Sequence, residues 1–69
     1  MDRKEAEALV AGVTIRIGNF SAVLDDEARR ILGDETFAKL KADPVRRHGP
    51  NAFSVYPWNV VDYLQMYGI

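Results

Sequence analysis

One stretch constrains this chain more than any other: Val13-Thr14-Ile15-Arg16-Ile17, then Gly18-Asn19, then Phe20-Ser21-Ala22-Val23-Leu24. Two alternating runs joined by a Gly-Asn pair fit a two-residue hairpin, because glycine readily takes the positive φ that such a turn demands. If Ile17 stands opposite Phe20, then Ile15 faces Ala22 and Val13 faces Leu24. Six apolar side chains then share one face of the ribbon, while Thr14, Arg16, Ser21 and Val23 occupy the other. The pattern predicts an antiparallel hairpin over about 13–24 with its six-residue apolar face turned to the core.

Helices must cover that face. Asp2 and Glu5 match a D-x-x-E capping pattern, Ala6, Leu9 and Val10 fall at helical spacing, and Gly12 can stop the element, which predicts a helix over 2–11. Asp25-Asp26-Glu27 supply negative charge at the start of a second helix, whose Ala28, Ile31 and Leu32 form an i, i+3, i+4 stripe before Gly33. Asp25 with Arg29, and Asp26 with Arg30, are i, i+4 pairs worth roughly 0.2–0.5 kcal/mol each. A third helix starts with Asp34 as its N-cap, turns Phe37 and Leu40 inward, pairs Glu35 with Lys39, and stops before Asp43-Pro44. Past a polar loop at 46–51, Ala52 to Tyr56 read as a short third strand. Pro57 then suits the first position of a last helix over about 58–67, with Gly68 as its stop.

The expected fold class is α+β: a small single domain over 1–69, an antiparallel hairpin with a third short strand at 52–56, and three to four short helices packed against it. That third strand either joins the hairpin sheet or stands apart as a wing. The expected core is Leu9, Val13, Ile15, Ile17, Phe20, Ala22, Leu24, Ile31, Leu32, Phe37, Leu40, Phe53, Val55, Val61 and Leu64. On this reading Ile15→Asp buries an unpaired charge and unfolds the chain.

Composition narrows the function classes. With 69 residues and no cysteine, there is one core, no disulfide framework and no thiolate zinc site; a chain this short buries only about 60% of the surface it exposes unfolded. The charged first residues lack an apolar signal segment, and no apolar run approaches the ~18 residues of a membrane span, so the expectation is a cytoplasmic protein with no membrane partner. Nine Lys+Arg against ten Asp+Glu leave no strong electrostatic footprint for nucleic acid. Only the 39–48 stretch leans basic.

No catalytic constellation can be assembled. His48 is the single histidine and stands beside two arginines, Ser21 and Ser54 lack a nucleophile-elbow context, and the acidic residues at 25–27 and 34–35 are accounted for by helix N-termini. No phosphate-cradling glycine motif is present. The expectations are therefore no enzyme activity, no cofactor and no metal.

Two groups of residues remain as binding candidates. The last helix is apolar on more than one side, leaving only Asn59, Asp62 and Gln65 as a thin polar stripe. That width exceeds the single stripe of an ordinary surface helix. Trp58, Tyr63, Met66 and Tyr67 are therefore candidates for a partner or self-interface, with Arg46 and Arg47 as an electrostatic rim. The second group, Lys39, Lys41, Arg46, Arg47 and His48, is the one cationic cluster, suited to phosphates or to an acidic protein surface.

In order of elements, residues 25–67 resemble small winged-helix regulators of the excisionase and MerR-like kind: helix Asp25–Leu32, helix Asp34–Ala42, loop Pro44–Asn51, strand Ala52–Tyr56, helix Trp58–Tyr67. The resemblance implies DNA binding through a helix-turn-helix and a wing. Two features depart from that family's pattern. The Gly33-Asp34 corner is shorter than its turn, and the helix that would read the groove opens with Asp34-Glu35, which phosphates repel.

The sequence reading is thus a non-enzymatic interaction module that binds, occludes or bridges a macromolecular partner, in the manner of small regulators and inhibitors of phages and mobile elements. The favoured partner is a protein, a second copy of the chain among the options. The alternative is a winged-helix-like DNA-binding regulator.

Overall fold

The computed structural model describes residues 1–68. Its elements are α1 (Arg3–Ala11), β1 (Ile15–Ile17), β2 (Phe20–Leu24), α2 (Asp25–Leu32), α3 (Asp34–Ala42), β3 (Ser54–Val55) and α4 (Pro57–Tyr67). The fold is a small α+β unit with four helices and a three-stranded antiparallel sheet in the order β1-β2-β3.

The hairpin has the predicted register over its inner three pairs, with Ile15 opposite Ala22, Arg16 opposite Ser21 and Ile17 opposite Phe20. The expected Val13–Leu24 pair is replaced, because the Val13 and Thr14 N–H groups donate to the Val10 and Ala11 carbonyls at the end of α1 and Leu24 pairs with Ser54. Gly18 sits at φ 61°, while no non-glycine residue among those described has positive φ. This is the form of two-residue turn in which only the first central position is left-handed.

The third strand joins the hairpin sheet and does not stand apart as a wing: Val23 pairs with Val55 and Leu24 with Ser54. It is shorter than the expected 52–56. Asn51 Oδ1 accepts from both the Phe53 N–H and the Ser54 hydroxyl at 2.9 Å, holding the chain in a turn until Ser54. The Asp25 N–H then donates to the Phe53 carbonyl at 2.8 Å, giving the first turn of α2 a partner.

The face of the hairpin that enters the core is the opposite of the expected one. Val23 and Val55 are fully buried and belong to the core with Val60, Val61 and Leu64. Ile15, Phe20 and Leu24 are 41–55% exposed, and Leu9 and Phe53 also lie outside the core. The physical reason is that β2 carries an apolar residue, Val23, on its other side as well. Val23, with Val55 beside it, packs against the helices, so the alternate residues point away. Ala22, flanked by larger residues on that outer face, is covered. Of the other expected core residues, Phe37, Leu40, Val55, Val61 and Leu64 are buried, and Val13, Ile31 and Leu32 pack partly buried against them.

Helix ends follow their local chemistry. Asp2 accepts from the Glu5 N–H at 2.8 Å and caps α1. Between α2 and α3 the chain turns at Gly33, with φ 85° and ψ 158°, a conformation essentially reserved for glycine. Gly33 and not Asp34 is therefore the N-cap of α3, and Asp34 is its first helical residue with no side-chain capping bond. The expected i, i+4 pairs give way to i, i+3 ones, Asp26 with Arg29 at 3.6 Å and Glu27 with Arg30 at 2.6 Å, which frees Asp25 to meet Lys41 of α3 at 3.2 Å. Glu35 and Lys39 form no ion pair among the described residues; the Lys39 ammonium lies 4.5 Å over the Tyr67 ring.

α4 packs against α1, α2, α3 and β2. Its wide apolar circumference is thereby explained: Val60, Val61, Tyr63 and Leu64 are all buried.

Candidate interaction surfaces

The α4 candidates separate into two ends and an interior. Trp58, at the helix start, is 54% exposed and stacks on Tyr56 with ring centroids 4.4 Å apart and planes 10° from parallel. Pro57 at the first helical position and Tyr56 at the cap hold this pair on a stiff stretch of backbone. Trp58 also walls a hollow of about 320 Å³ shared with Val10, Thr14, Ser21, Pro57 and Val61, with Arg3 and Glu7 on its margin. The lining is more apolar than polar. It is an open, shallow hollow walled in part by the indole, a surface against which an apolar side chain of a partner can pack.

Tyr63 lies in the interior at 5% exposure. Its hydroxyl donates to Asp43 Oδ2 at 2.8 Å, so it serves the fold and presents no free contact surface. Burial pushes the phenol above its ordinary pKa, and the hydrogen bond to Asp43 adds to that; Asp43 in turn is held below the usual carboxylate range, first by the Val45 N–H and then by the Tyr63 hydroxyl. Met66 and Tyr67 are exposed at the far end. Eight residues of helix, about 12 Å, separate Met66 from Trp58. The four residues do not make one patch.

The polar stripe of α4 is structural. Asn59 is buried and its Nδ2 donates to the Arg46 carbonyl at 3.2 Å. Asp62 lies 3.6 Å from Arg46 Nε and 3.8 Å from Arg3 Nη1, and Gln65 accepts from Arg3 at 3.1 Å. Through these contacts α4 holds both α1 and the loop after α3. Sequence reasoning missed this use. The three-residue spacing of 59, 62 and 65 was the available signal, but it reads equally as a solvated face.

The cationic cluster is divided as well. Arg46 is shared between Asp43 at 3.4 Å and Asp62, Lys41 faces Asp25, and Lys39 covers Tyr67. Arg47 and His48 are exposed and touch each other, Arg47 Nε donating to His48 Nε2 at 3.4 Å. Lys41, Arg47 and His48 do line a common polar hollow of about 330 Å³ with Gly49, Asn51 and Ala52. Asp25, 3.2 Å from the Lys41 ammonium, offsets part of its charge.

The third surface is the outer face of the hairpin. Ile15, Phe20 and Leu24, with half-buried Ile17, present apolar side chains to solvent across two paired strands. Among the described residues, no group of three or more His, Asp or Glu side chains is arranged to hold a metal ion, and no helix is long and apolar enough to cross a membrane.

Comparison with protein-family models, with curated proteins and with solved structures finds no match for this chain.

Proposed function

We propose that this chain is a non-enzymatic interaction module that docks a protein partner, with Trp58 as the anchor. The observation that carries this reading is the half-exposed indole, braced by Tyr56 and set at the edge of a mostly apolar hollow between α1, β2 and α4. Aromatic residues in such settings contribute disproportionately to protein–protein affinity, because the partner group is desolvated without ordering a flexible side chain. The occupant that fits is a segment presenting one large apolar or aromatic side chain. The Arg3–Glu7 pair, 3.5 Å apart on the margin, supplies polar edge contacts. Among the described residues, Ser54 is buried and bonded to Asn51, and His48 contacts Arg47.

The test is selection of displayed peptides on the wild-type chain, followed by affinity measurement on Trp58→Ala. The reading expects enriched peptides that share one large apolar anchor and lose about 30-fold in affinity on the variant, the size of an interface hot spot. Peptides that bind both chains equally, or no enrichment, would contradict it.

The hollow lined by Lys41, Arg47 and His48 favours a second reading, a DNA-binding regulator that contacts the phosphate backbone. That reading expects duplex affinity that collapses with salt and a salt slope lowered by about one on Arg47→Ala.

A further inference from the structure

The outer face of the hairpin is an unexplained apolar surface. Ile15, Ile17, Phe20 and Leu24 lie on one side of two paired strands, and the small Ala22 between them is the one member that is covered. We infer that this face is the contact surface of a homodimer, in which two copies pack their hairpins face to face about a two-fold axis. The inference goes beyond the Trp58 reading and is independent of it. Ser21 points into the Trp58 hollow, and Phe20 and Ala22, its neighbours along β2, point to the other side of the sheet.

Three observations select a second copy as the occupant. First, the face carries no charged side chain, so it makes no electrostatic demand for an unlike partner, and a net charge of −1 lets two copies approach with little repulsion. A two-fold axis matches such a surface to itself.

Second, the open edge of β1 disfavours strand addition. Arg16 is the middle residue of this three-residue strand. Antiparallel pairing of β1 with its own copy about Arg16 would set two guanidinium groups directly opposite each other, which penalises edge-to-edge joining. Face-to-face packing keeps Arg16 out of the contact, because it lies on the same side as Ser21. Sheets that pack this way interdigitate their apolar faces about 10 Å apart.

Third, the area suffices. The uncovered parts of Ile15, Phe20 and Leu24, with the smaller share of half-buried Ile17, amount to roughly 350 Å² per copy, the size of a functional apolar patch on a small protein. Two copies facing each other cover about 700 Å² of apolar surface between them, and interfaces with an apolar centre of that size reach the range of specific contacts once the usual polar rim is added.

The experiment is sedimentation equilibrium of the wild-type chain over a dilution series, alongside Phe20→Lys and Trp58→Ala. The expected result is a wild-type mass twice that of the chain, falling to one chain on dilution. Phe20→Lys stays at one chain mass with its helical circular dichroism intact, since Phe20 is 55% exposed and its replacement leaves the core unchanged. Trp58→Ala dimerises as the wild type does. A wild type that remains monomeric at about 1 mM, weaker than any useful self-affinity, overturns the inference, as does a folded Phe20→Lys that dimerises normally. Should Phe20→Lys not fold, intermolecular nuclear Overhauser effects in a mixed-label wild-type sample decide the matter. Contacts from the Phe20 ring to Ile15 and Ile17 methyls of the other copy uphold the interface, and intermolecular contacts confined to other residues overturn it.

Discussion

The Tyr63 hydroxyl donates to Asp43 Oδ2 at 2.8 Å, so the middle of α4 is tied to the residue at which α3 ends. Asp43 also accepts from the Val45 N–H at 2.8 Å and the Arg46 N–H at 3.3 Å, which shapes the turn into the basic loop. Asn59 and Asp62, on the same helix, hold Arg46 from the other side. A loop rich in charged residues is thus fixed by three positions of one core helix. Its placement is a consequence of α4.

The Tyr63–Asp43 pair predicts a specific pH dependence. Asp43 is depressed below its ordinary 3.8, so its contribution is present above that value and disappears as pH falls through the lower folded-state value. Tyr63 is raised above its ordinary 10.0, so its contribution is complete below 10.0 and is lost as pH rises through the raised value. Thermal melts should therefore fall off at both extremes. Tyr63→Phe should lower the midpoint at neutral pH by roughly 5 °C, the scale of one lost hydrogen bond in a domain of this size. It should also flatten the alkaline limb. An unchanged midpoint and limb would show the bond to be energetically idle.

Gly33 predicts a cost that comes from the backbone alone. A Cβ placed there meets nothing within 4 Å, yet φ is 85° and ψ 158°. Gly33→Ala should destabilise the fold by about 1–3 kcal/mol through strain at the α2–α3 corner, read by urea unfolding. A neutral substitution would mean that the corner readily adopts another conformation.

The two faces of the hairpin predict opposite outcomes for the same substitution. Val23→Asp buries a charge at a fully covered position and should unfold the chain. Ile15→Asp, at a site 41% exposed, should leave a cooperative melt and native circular dichroism. Loss of structure in Ile15→Asp together with tolerance of Val23→Asp would mean that the sheet is turned over.

Adjacent arginines should behave differently. Arg46 bridges Asp43 and Asp62, and its carbonyl accepts from Asn59. Arg47 is exposed, and its guanidinium contacts His48. Hydrogen exchange of the 44–51 loop amides should accelerate in Arg46→Ala and stay unchanged in Arg47→Ala. Equal effects would remove the distinction between a latch and a free cation.

What the sequence makes legible follows from which signals are local. The hairpin register is readable because period-two alternation and a Gly-Asn turn agree across both strands. The buried face is not, because Val23 on one side competes with Phe20, Ala22 and Leu24 on the other, and the choice is made by Val55, some thirty residues away in the chain. The width of α4 is visible as an apolar excess. Its cause, four neighbouring elements, is a tertiary fact. The Asn59, Asp62 and Gln65 stripe looks solvated until the loop and α1 arrive to use it. The apolar excess of α4 points to Trp58 and Tyr63 alike, whereas the fold leaves Trp58 exposed and holds the Tyr63 ring inside.

Trp58 is the only tryptophan in the chain, so its emission reports the proposed anchor site directly. The most direct measurement titrates that emission with a selected peptide and with mixed-sequence duplex DNA, each at low and high salt. The expected result is a blue shift that saturates with peptide and persists at high salt, with no change on DNA. An emission unmoved by any selected peptide, with duplex binding that collapses as salt is added, would contradict it.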